Sequence, residues 1–419
     1  MPSNPPIANL RTSDATLSDF ASDTLEFNRF LTSVRRHLHR NPEVGMKEHE
    51  TAQFIKETLE DHGLEVQGPI AGTGLYVDIE GHRPGGCVAY RADIDALPAR
   101  DGKQVPYRSR NPGAAHLCGH DAHTAVGIGV ALMLHHNRDQ LAGSARVFFQ
   151  PNEEGMPSGA PLMIKAGVLD GVNAVYCIHV DPTLGVGRYG LLDGAITAAS
   201  DRFDVYVRHE GSGHSARPHE GTDTVWVATQ IINAFYQLAG RITDARNATV
   251  LSVCRLFGSE AHNVIPDTVE FGGTLRTTST EDRKLLRQKM AQIAKQTAAT
   301  FGATANMEVE KGAPPVINEP VLIKNVEDVV REAYGPQAIY EIPQSSMGGE
   351  DFSYYLDHVP GALIRVGTAS SPETSHPLHD HRFDIDETPL APTAKLMARA
   401  MIRHLKRDIS DDDMAQAAY

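Results

Sequence analysis

The chain reads as an α/β protein on a largely parallel sheet flanked by helices, with a smaller α+β unit inserted into it. Three observations predict this. Short apolar runs alternate with helical stretches over the first half of the chain. Near residue 200 the pattern changes to β-α-β-β-α-β, the order of a ferredoxin-like unit. Strand-like and helical segments then resume after about residue 312.

From Leu25 to His39 the apolar positions Phe27, Phe30, Leu31, Val34 and Leu38 follow helical spacing. Asn41-Pro42 ends this helix, because the residue before proline avoids the helical region. A second helix is predicted from about Glu48, with Ala52, Ile55 and Leu59 on one face and Gly63 as its stop. Leu75–Ile79, Cys87–Ala92, Ala145–Phe149 and Ala174–Val180 read as strands, with helices at about 121–136 and 159–166. In the insertion, strands are predicted at Phe203–Val207, Thr249–Val253, Val269–Leu275 and Thr304–Val309, and helices at Thr224–Leu238 and Thr280–Thr300. The expected organisation is a loose arm at 1–22, a discontinuous catalytic domain at 23–196 and 312–419, and an inserted domain at 197–311.

Composition narrows the function. The 419 residues carry 53 acidic against 39 basic side chains, a net charge of -14. That balance argues against a nucleic-acid binder, which needs a clustered basic face. Four scattered cysteines do not make a disulfide framework. With no long apolar run and no basic-then-apolar leader, the expectation is a cytoplasmic enzyme acting on a small molecule, with no membrane partner.

The densest chemical signal is His116-Leu117-Cys118-Gly119-His120-Asp121-Ala122-His123. In an extended segment 116, 118 and 120 share a face and would present imidazole, thiolate and imidazole to a borderline-soft cation. Glu153 and Glu154 leave the end of an apolar strand, where one carboxylate can bind metal and the other can act as general base. His179 lies in the run Val175-Tyr176-Cys177-Ile178-His179-Val180 and is expected to be a ligand. The C-terminal segment offers His376, His379 and His381, among which spacing does not choose. Asp93 and Asp95 follow a strand as turn residues or as supports that orient a ligand histidine. In the insertion, Gly211-Ser212-Gly213-His214-Ser215-Ala216-Arg217-Pro218-His219 is a glycine-rich turn lacking the Gly-Lys-Ser/Thr of a phosphate loop.

Together with Arg35–Glu43, Asn263-Val264-Ile265-Pro266-Asp267, Gly273–Thr277, Gly349–Phe352 and Phe383–Glu387, these segments resemble the aminoacylase/carboxypeptidase superfamily of binuclear metallopeptidases. The similarity is greatest to its amidohydrolase branch, which includes hippurate hydrolase and the indole-acetyl-amino-acid hydrolases. The resemblance implies Cys118, His120, Glu154, His179 and His379 as ligands of two divalent ions, zinc or manganese, and Glu153 as catalytic base. It implies that His214 reaches substrate, that Asn263 and Arg276 hold substrate or lid, and that the insertion is a lid and homodimerisation domain. Ser212-Gly213 replaces the usual Gly-Gly, His381 replaces a usual proline, and Arg217, Glu220 and Asp223 make the lid loop unusually charged. The expected activity is metal-dependent cleavage of the amide bond of a small N-acyl amino acid, with an aromatic acyl group among the candidates. The alternative is an aminohydrolase releasing ammonia from an aromatic amine or carbamoyl compound by the same chemistry.

Overall fold

A computed structural model describes residues 17–407. They divide into two compact units. The first takes the chain up to Gly194, Asn318–Pro343 and the residues from Tyr354 onward; the second takes Ala195–Ile317 and Gln344–Ser353. The second unit thus takes in 344–353 together with the stretch that ends at Ile317. Backbone bonds account for this: Ile196 accepts from Ser346, and Gly348 accepts from Ala198. Leu17–Ser22, expected within a loose arm, is helical; the rest of that arm lies outside the described residues.

The first unit holds an eight-stranded sheet. Its order is Val66–Ile70, Gly74–Glu80, Ala142–Gln150, Arg83–Asp93, Val172–Gly185, Gly361–Ala369, Tyr189–Leu191 and Ile339–Glu341. The four strands from Ala142–Gln150 to Gly361–Ala369 run parallel to one another. Antiparallel pairing extends the sheet on both sides, and the edge strand Ile339–Glu341 then pairs parallel with Tyr189–Leu191. Consecutive buried residues such as Val88, Ala89 and Tyr90, or Val175, Tyr176 and Cys177, are what a strand covered on both faces requires.

Helix His120–His136 has every residue from His120 to Leu134 buried, polar in its first turn and mainly apolar beyond, so it lies inside the unit. Gly129 permits its close packing, since a Cβ there would approach Ala394 Cβ to 2.7 Å and Leu31 Cδ1 to 2.9 Å. Helix Thr24–Arg40 starts at Asp23, whose side chain accepts from the Leu25 and Glu26 amides, and buries Phe27, Leu31, Val34 and Leu38 against this core. Gly63, with φ 83°, follows helix His49–Glu60 as expected of a stop residue.

The second unit carries an antiparallel four-stranded sheet ordered Thr249–Phe257, Thr268–Thr277, Ala199–Arg208, Thr304–Glu310. Phe203, Val205 and Val207 alternate inward and meet Val227, Ile231 and Phe235 of helix Thr224–Tyr236 and Leu286, Met290 and Ala294 of helix Thr280–Thr300. This is the ferredoxin-like order that the alternation predicts. No helix among the described residues is long and apolar enough to cross a membrane.

Candidate metal centre

The segment around Cys118 is not extended. Ala115 bridges to Leu97, Gly119 adopts a left-handed φ of 88°, and His120 is already the first residue of its helix. Period-two reasoning therefore fails at Gly119, where a Cβ would come within 2.3 Å of Val180 Cγ2. Cys118 and His120 converge, but His116 does not join them. It is buried beside His39, with ring centroids 6.3 Å apart and neither ring nitrogen hydrogen-bonded within the described chain. Burial pulls its pKa down to about 3, so it is a neutral ring.

Ligand atoms of Cys118, His120 and His179 lie within 4.8 Å of one another, as do those of Cys118, Glu154 and His379, and those of His120, Glu153 and Glu154. The groups share members and form one cluster, wholly within the first unit. His379, which spacing could not choose over its neighbours, is the C-terminal histidine in it. Its N–H donates to Leu117 O at 2.7 Å, its φ is 68°, and its Nε2 lies 3.1 Å from Glu154 Oε1. A non-glycine residue in that conformation is held there by its surroundings.

His120 and His179 are each oriented by the other ring nitrogen. His120 Nδ1 donates to Asp95 O at 3.0 Å and to Asp95 Oδ1 at 3.1 Å, which leaves Nε2 for the cluster. His179 Nδ1 donates to Val180 O at 2.7 Å, and its Nε2 faces Cys118 Sγ at 3.6 Å. Both nitrogens of His123 are engaged, Nδ1 with Asp93 at 2.7 Å and Nε2 as acceptor for the Val180 amide at 3.0 Å. His123 therefore supports the strand carrying His179 and holds no lone pair for an ion. Its place one helical turn after His120 was the available sequence signal.

The electrostatics fit a cation. Burial opposes charge on His120, yet Asp93 and Asp95 raise it well above the ordinary imidazole value. The Glu154 carboxylate raises His379. Burial drives the Cys118 thiol up, which a bound divalent ion reverses by stabilising the thiolate. Burial lowers His179, with Arg365 and His123 adding to the effect. The donor set of one thiolate, one carboxylate and three imidazoles suits divalent metal ions and does not choose between zinc and manganese.

The loop carrying Glu153 and Glu154 is held from two sides. Glu48, buried at the start of its helix, accepts from the Asn152 amide at 3.0 Å and from the Thr73 hydroxyl at 2.7 Å. Asp95 Oδ2 accepts from the Glu154 amide at 3.1 Å. Neither contact was readable from sequence spacing. Behind His120, Arg35 donates to Asp121 at 2.7 Å, Asp384 at 2.8 Å and Glu387 at 3.1 Å.

The other expected substrate residues lie in the second unit. His214 pairs with Val264 on a two-residue ladder, and Asn263 O accepts from the Ser215 amide, so the two neighbour each other. Arg276 Nη1 donates to Met347 O at 2.8 Å, which ties 344–353 to this unit.

The model of peptidase family M20/M25/M40 matches residues 89–403. The chain belongs to this family. It is 40% identical over 358 residues to an N-acetyl-L-cysteine deacetylase of Bacillus subtilis, covering 85% of this chain and 84% of that one. It is 34% identical to thermostable carboxypeptidase 2 of Saccharolobus solfataricus, covering 87% and 93%. A dinuclear metal-binding peptidase of the M20 family from Bacillus subtilis superposes with a TM-score of 0.81 at 32% identity, covering 92% of this chain and 99% of that one. As an M20 family member the protein is a metal-dependent hydrolase acting on C–N bonds, and its site binds divalent metal ions.

Proposed function

We propose that the protein hydrolyses the amide bond of a small N-acyl amino acid. The observation that carries this reading is the convergence of Cys118, His120, Glu154, His179 and His379 with a second carboxylate, Glu153, beside them. Those five residues would hold two divalent ions, manganese or zinc, which when bound supply the Lewis acidity that activates water and polarises a carbonyl. Glu153 takes a proton from the attacking water and delivers it to the amine nitrogen as the C–N bond breaks. The products are the free acyl acid and the amino acid. We assign His214, Asn263 and Arg276 to substrate recognition on the family resemblance.

The deacetylase named above supports an N-acyl amino acid as substrate. Metal analysis combined with a screen of N-acyl amino acids, aromatic acyl groups included, tests the reading. Ammonia release without amino-acid release would overturn it. We further propose a cytoplasmic homodimer. Four unbridged cysteines suit a reducing compartment. The second unit exposes Trp226, Tyr236, Val250 and Phe257 on one helix and an edge strand, which suits self-association. A monomer by sedimentation would overturn the dimer.

A further inference from the structure

His116 is the first histidine of the segment that supplies Cys118 and His120, and the metal cluster leaves it out. It is 2% exposed, and neither Nδ1 nor Nε2 has a hydrogen-bond partner among the described residues. A neutral imidazole carries one donor and one acceptor, and sealing both from any partner is unfavourable.

Asp121 shows the same pattern on one of its two oxygens. Arg35 Nε and His39 Nδ1 both meet Oδ2 at 2.7 Å. Oδ1 is sealed from solvent and has no hydrogen-bond partner among the described residues. A carboxylate held against an arginine is ionised, and a buried ionised oxygen gains most from a donor.

The two groups belong to one buried cluster. The His116 and His39 ring centroids are 6.3 Å apart, and His39 binds Asp121. Of the charged groups around the His116 ring, Asp121 acts on it most strongly. Water fits this pair of groups, because it donates to a carboxylate oxygen while exchanging a hydrogen bond with an imidazole nitrogen. A cation would add charge beside Arg35, and an anion would lie against Asp121.

We propose that a buried ordered-water site links His116 to Asp121 Oδ1, and that His116 is thereby a positioning residue for the metal centre. Asp121 directly follows His120 in the first turn of helix His120–His136. Arg35 and His39 hold its carboxylate through one oxygen, and the water carried by His116 holds it through the other. The start of the helix, and with it the His120 ring, is then fixed from both sides. The proposal requires His120 to be a metal ligand and is independent of which amide is cleaved.

High-resolution crystallography of the metal-loaded wild type tests the site. Ordered water is expected within hydrogen-bond distance of a His116 ring nitrogen and of Asp121 Oδ1. His116→Phe and His116→Gln test the role. Phenylalanine keeps the shape of the ring and removes both polar atoms, whereas glutamine keeps a donor and an acceptor but loses the shape. Metal affinity, from competition with a chelating dye, is expected to fall about tenfold in His116→Phe, the lower end of the loss for groups that orient ligand residues. It should stay nearer to wild type in His116→Gln. A ring that only fills space gives the reverse order, since phenylalanine then packs as well as histidine. Equal affinities, the reverse order, or a His116 ring without ordered water in the wild-type crystal overturns the proposal. If either variant fails to fold, the wild-type crystal decides alone.

Discussion

Asp95 and His120 are joined twice, since His120 Nδ1 donates both to the Asp95 backbone oxygen and to its carboxylate Oδ1. The remaining oxygen, Oδ2, accepts from the Glu154 amide, so one side chain orients two ligand residues from different segments. Asp95→Asn should keep the first contact but set an amide NH2 against the Glu154 N–H. Metal affinity should fall about 10- to 100-fold, as for other partners of ligand residues. Competition titration with a chelating dye checks this, and unchanged affinity would refute the role given to Asp95.

Glu153→Gln separates binding from chemistry. Glu154 and the other four donors are untouched, so the variant should load the same metal content as wild type. A carboxamide cannot accept the water proton, and kcat should drop by roughly 10² to 10⁴. Metal analysis alongside steady-state kinetics distinguishes the two, and near-normal turnover would exclude Glu153 as the base.

Arg35 compensates Asp121, Asp384 and Glu387 in a place where none can be well hydrated. Arg35→Met fills a similar volume but leaves buried Asp121 and Asp384 without their arginine, while Glu387 keeps its ion pair with Arg36. Breaking a buried ion pair from one side costs about 3–5 kcal/mol. Urea denaturation should show a loss of this order, and a change below ~1 kcal/mol would contradict the network's role.

His404 is buried against the Tyr176 hydroxyl at 3.0 Å, and burial lowers its pKa to about 4. The unfolded chain, with an ordinary imidazole near 6.5, binds the proton first. Stability therefore rises with pH across this window, and it is lost as pH falls from about 6.5 to about 4. The slope approaches 1.4 kcal/mol per pH unit in mid-window. His404→Phe should flatten that part of the stability profile relative to wild type, as measured by denaturation at several pH values. Parallel profiles would show that His404 is not responsible.

Much of the fold is visible in local pattern. The helix Thr280–Thr300 has the expected bounds because Ser279 caps it and its apolar spacing is regular, and both signals sit within a few residues. The strand cores are equally plain, though each runs longer than its apolar run, since pairing continues through polar residues such as Asp181 and Thr183. His116 shows the limit. It matched a ligand pattern only if the chain stayed extended, and one left-handed glycine sends the following residues into a helix. The 344–353 segment shows another, because its allegiance rests on bonds to residues about 150 positions earlier.

The sequence by itself determined which donors were available: a thiol, a pair of adjacent acids and several histidines, each marked by side-chain chemistry that neighbours do not alter. It determined the order of elements as well, because periodicity is a property of short windows. Only the tertiary structure decided which donors meet. Cys118, Glu154 and His379 lie on three segments, and their closeness depends on strand order, a left-handed backbone at His379 and the bonds from Leu117, Glu48 and Asp95. It likewise brought His116 beside His39, which belongs to a helix in a distant part of the chain. Contacts over such distances follow from the packing of the whole core, and no local window contains them.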